Sequence, residues 1–80
     1  MPLSSVELQR VEAAVASANP DQRLRMKGEA EATLLHVSKL MAQRLLSHEE
    51  NKLAEIAVEI LVRIEAVENR QRAELRNLLS

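Results

Sequence analysis

The chain has 80 residues, a formal net charge of −1 and no Phe, Trp, Tyr or Cys. That length limits it to one domain, near the size at which a single core barely offsets chain entropy, and the missing cysteines exclude disulfides and thiolate metal sites. With 11 basic against 12 acidic residues it lacks the electrostatic footprint of a nucleic-acid or anionic-membrane binder.

Helix formers dominate, no stretch alternates apolar and polar residues, and the fold class expected is all-α. The first helix is expected over about 5–18. In "SSVE", Ser4 is the N-cap and Glu7 closes a capping box, in which each side chain satisfies a backbone N–H at the helix end. Leu8, Val11, Ala14, Val15 and Ala18 share one face.

The second helix is expected over about 20–46. "NPDQ" supplies Asn19 as cap, Pro20 at the first helical position, Asp21 against the dipole and Gln22 to close the box. Its main stripe runs Met26, Ala30, Leu34, Val37, Met41, Leu45, and a weaker second set holds Leu24, Leu35, Ala42 and Leu46. Met26 and Met41 read as core filler. Gly28 is a soft spot: it either ends a short segment at Lys27 or admits a close helix crossing.

"SHEE" repeats the capping box with Ser47 and Glu50, opening a third helix over about 48–79. The rival is one unbroken helix from Pro20 onward, as in a swapped dimer. Phase argues against it, because the second helix's stripe, continued, meets His48 and Lys52, whereas the third helix's stripe starts at Leu53. The expectation is a hairpin of two long helices plus a short N-terminal one, a three-helix bundle.

The stretch "LAEIAVEILVRIEAV", Leu53 to Val67, carries more apolar surface than one stripe needs. Its polar strip, Glu55, Glu59, Arg63 and then Arg70, spans only about 80° at 100° per residue. One apolar face holds Leu53, Ile56, Ala57, Ile60, Ile64 and Val67; a second holds Ala54, Val58, Leu61 and Val62. At 1.5 Å per residue the first helix spans about 20 Å and the other two about 40 and 48 Å, so the first covers about half of the hairpin. Either it fills the second face and closes a three-helix core, or another chain completes the bundle. The second reading makes Ala54, Val58, Leu61 and Val62, with Leu24, Leu35, Ala42 and Leu46, the expected partner-binding residues.

Features that resemble chemistry read more simply. His36 is an exposed helical histidine and His48 a solvated first-turn residue; neither forms a Glu-x-x-His pair. Glu29, Glu31, Glu55, Glu59, Glu65 and Glu68 are ion-pair partners for Lys27, Arg63, Arg70 and Arg72. Arg23, Arg25 and Lys27, like Arg70, Arg72 and Arg76, are basic clusters interleaved with acids, with no aromatic to stack a base. No nucleophile–base pair, phosphate loop or metal constellation is visible, so no catalysis and no cofactor are expected. The N-terminus has no basic region followed by an apolar run, and no apolar run approaches the roughly 20 residues of a membrane span; a soluble, cytoplasmic protein is expected.

In size, acidity and helical architecture, over roughly Leu8 to Leu78, the chain resembles the small helical co-chaperones that shield needle subunits of bacterial type III secretion systems. The resemblance implies an apolar helical surface offered to a helical client or to a larger partner chaperone. A non-catalytic protein-interaction module is therefore expected, binding itself or a partner helix. Two other classes stay open: a purely structural homo-oligomer, natural or designed, and a DNA-binding regulator.

Overall fold

The computed structural model describes residues 3–80. It contains three helices and, among the described residues, no strand: α1 (Ser5–Ser17), α2 (Pro20–Ala42) and α3 (His48–Leu79). All three start where the capping boxes place them. Glu7 N–H donates to Ser4 Oγ at 3.2 Å and Ser4 N–H to Glu7 Oε1 at 3.1 Å. Asn19 and Gln22 exchange the same pair of bonds at 2.8 Å each. Ser47 and Glu50 do so at 3.2 and 3.4 Å.

α2 stops at Ala42, short of the expected 46. Arg44 adopts a left-handed conformation, φ 58°. Its N–H bonds to the Met41 carbonyl at 3.0 Å, and the Leu45 N–H reaches back to the Leu40 carbonyl at 2.9 Å. This is a Schellman termination, a motif that usually uses glycine at the left-handed position. It removes Leu45 and Leu46 from the helix, so neither belongs to the α2 stripes assigned to them. The chain turns back into a hairpin, and the unbroken helix is not formed.

Gly28 does neither thing expected of it. α2 runs through it, and nothing lies within 4 Å of the position a Cβ would occupy, so no helix crosses close by.

α3 is the central element: both α1 and α2 dock on it, while α1 and α2 touch each other far less. Arg23, near the start of α2, reaches Gln71 of α3, and His36 of α2 lies 3.9 Å from Glu50 at the start of α3, so these two helices run antiparallel. Glu7 of α1 pairs with Lys52 at 2.7 Å, while Val15 shares a core cluster with Ile64, so α1 runs in the same direction as α3. The longest dimension of the molecule, 52 Å, is close to the roughly 48 Å length of α3.

Val11, Val15 and Ile64 form the centre of the core, with Met26, Ile56, Ile60 and Val67 against them. Along the α2–α3 seam, Ala30, Val37 and Ala57 are buried; the two alanines are small enough to let the backbones approach. Arg23 is also buried. Its guanidinium donates to the Ala18 carbonyl at 2.9 Å and to Gln71 Oε1 at 3.4 Å, closing the α1–α2 turn and fastening it to α3. It is therefore not part of an exposed basic cluster with Arg25 and Lys27, which are both exposed.

A candidate protein-interaction surface

The polar strip of α3 decides where α1 lies. Glu55, Glu59 and Arg63 are half-buried, Glu59 accepts from Arg63 Nε at 2.8 Å, and Lys52 on the same side reaches α1 through Glu7. α1 thus settles over the border between this strip and the stripe Ile56, Ile60, Ile64, using Val11 and Val15 as its buried contacts. It does not close over the second apolar face of α3, where Val58 is 48% and Val62 53% exposed.

Ala54 and Val58 share a shallow groove with Leu3 and Leu8, its rim formed by Glu55 and Glu59. Val62 stands exposed one helical turn beyond Val58. Leu61 lies beside Ala54 around α3 but toward α2, half-buried in a depression lined by Lys27, Ile64, Glu65, Glu68 and Arg72. Ala54, Val58 and Val62 thus form the outer strip, with Leu61 at its α2-facing edge and partly covered.

The α2 residues form no common surface with that strip. Leu24, Leu35 and Ala42 are exposed, and at 100° per residue they fall well over 100° around α2 from the buried Ala30 and Val37. Glu31 and Ser38 interrupt them. Leu46 is half-buried in the connection before α3.

The third helix's main stripe, which by spacing continues from Val67 through Gln71 to Leu75 and Leu78, is not buried at its far end. Beyond Gln71, which meets the start of α2, α3 continues for about 12 Å with every residue exposed. Leu75, Leu78 and Leu79 are 57%, 82% and 80% exposed on this overhang, beside Arg72 and Arg76. The signal was present in the lengths: α3 has 32 residues and α2 has 23, so an antiparallel pair must leave one end of α3 unaccompanied.

His36 is exposed, with Nε2 3.9 Å from Glu50 Oε2. Among the described residues no group of His, Cys, Asp or Glu is arranged to hold a metal ion. Among the same residues no helix is long and apolar enough to cross a membrane. The Lys52 ammonium, helped by the Ser4 N–H and hydroxyl, lowers the Glu7 carboxyl to about 2. No protein-family model, no curated protein and no solved structure matches the chain.

Proposed function

We propose that this protein is a non-catalytic interaction module of the cytoplasm whose working surface is the outer strip of α3, where an amphipathic helix of another chain docks. The observation that carries this reading is the half-exposure of Val58 and Val62 beside the groove of Leu3, Leu8 and Ala54, on the one helix that also organises the core. Two adjacent valines left half-wet in a chain with no aromatic residue are costly apolar area, at about 25 cal/mol per Å². A small domain gains most by covering such a strip with a second helix. The small helical secretion co-chaperones that the chain resembles in size and build would use their surface in this way.

The test is solution mass by light scattering over about 1–200 µM, spanning the micromolar range of modest helix–helix affinities, together with capture of helical clients. Wild type is compared with Val58→Glu and Val62→Glu. These two positions suit the purpose better than Leu61, whose half-buried side chain also contributes to packing beside α2. Loss of association in the glutamate variants with unchanged helicity supports the module. Association indifferent to both substitutions would remove α3's outer strip from consideration.

A further inference from the structure

Resting on that reading, we infer that the occupant of the strip is a second copy of this chain, paired antiparallel along α3, each basic overhang lying on the acidic-rimmed groove of the other. Two features of α3 point there. The first is a line of exposed residues on one face: Val58, Val62, Glu65, Asn69, Arg72 and Arg76. Their alternating four- and three-residue steps, carried on by Leu79, keep the six within about 80° of one another around α3, and every member is exposed.

The second is charge. The groove end of the line is flanked by Glu55, Glu59 and Glu65, with Arg63 bonded to Glu59, whereas the overhang carries Arg72 and Arg76 against Glu74. A parallel pairing places like on like. An antiparallel pairing sets Arg72 opposite Val62 and Arg76 opposite Val58 of the other copy. The arginine stems then cover the valines, and the guanidinium groups reach the glutamates beside them. Leu79 falls toward the Leu3–Ala54 end of the groove. Because groove and overhang sit on the same helix, a two-fold axis near the middle of the exposed line makes both contacts at once, an isologous and closed arrangement.

A charge swap tests this. Wild type is expected to reach about twice the 9.0 kDa chain mass at the upper end of the concentration series. It should fall back toward the single-chain mass in about 1 M salt, where screening is short-ranged. Arg72→Glu/Arg76→Glu and Glu55→Arg/Glu65→Arg should each weaken self-association by about tenfold or more, since like charges then face each other. Mixed in equal amounts, the two variants should recover the wild-type mass, because both contacts of the mixed dimer are again complementary. Should Glu55→Arg disturb the helix by circular dichroism, Glu65→Arg mixed with Arg72→Glu gives the same readout from exposed positions alone. A wild-type monomer throughout, or a dimer whose mixed variants show no recovery, overturns the self-pairing. If Val58→Glu abolishes association while the charge swap has no effect, self-pairing in this register falls and the α3 surface stands. If neither matters, both fall.

Discussion

Gly28 and Arg44 are two residues each better suited to the other's position. Gly28 lies in the middle of α2 with no positive φ and no neighbour near its missing Cβ. There glycine only adds freedom to the unfolded chain and exposes backbone. Gly28→Ala is expected to stabilise the protein by about 0.5–1 kcal/mol, seen as a higher urea midpoint at unchanged slope. Arg44 occupies the left-handed position of the Schellman turn, where an L side chain costs on the order of 1 kcal/mol. Arg44→Gly should relieve that strain and raise stability by about 0.5–1 kcal/mol; a lowered melting temperature would show that the arginine side chain contributes more than its backbone costs. Ile64, buried at the junction of all three helices, is the opposite kind of position. Ile64→Ala should cost about 2–5 kcal/mol, a large share of the roughly 5–15 kcal/mol that holds a typical domain together. A loss under about 1 kcal/mol in urea titration would mean the core relaxes around the gap.

At the scale of elements, the fastening of α1 depends on pH. The Glu7 carboxylate, 2.7 Å from Lys52 Nζ, titrates at about 2 in the folded chain against an ordinary value of 4.5. A carboxylate lowered by folding contributes stability that is fully present above about pH 4.5 and is lost as pH falls toward about 2. Glu7→Gln should therefore be less stable than wild type at neutral pH, with the gap closing on acidification; a gap independent of pH would contradict the pairing. The helix starts were legible because each capping box is a local, reciprocal bond between residues three apart. The end of α2 was not, because its stop is a left-handed arginine and the residue usually sought there is glycine. Leu46 was misplaced for the same reason. The second face of α3 was legible as a pattern. Its division was less so: whether Leu61 belongs with Val58 depends on where α2 crosses, and no local spacing encodes that. Gly28 drew attention by composition alone, and no tertiary neighbour answers to it.

For the whole molecule, the one relation that no helix sequence carries is which neighbour takes which side of α3. α1 chose the border of the polar strip, bringing Glu55, Glu59 and Arg63 under partial cover and leaving Val58 and Val62 to the outside. The layout also makes the three helices unequal in how firmly they are held. α2 and α3 meet through a short turn and share the longest contact, while α1 rests almost entirely on α3. Because α1 docks through fewer contacts, all distant in sequence, it is expected to open at a lower free energy than the hairpin. Hydrogen exchange in native conditions should thus release the amides around Val11 at a lower free energy than those around Ala57. Lifting the first helix would uncover Ile64 and dismantle the groove that Leu3 and Leu8 share with Val58, so the exposed strip keeps its shape only while α1 is docked.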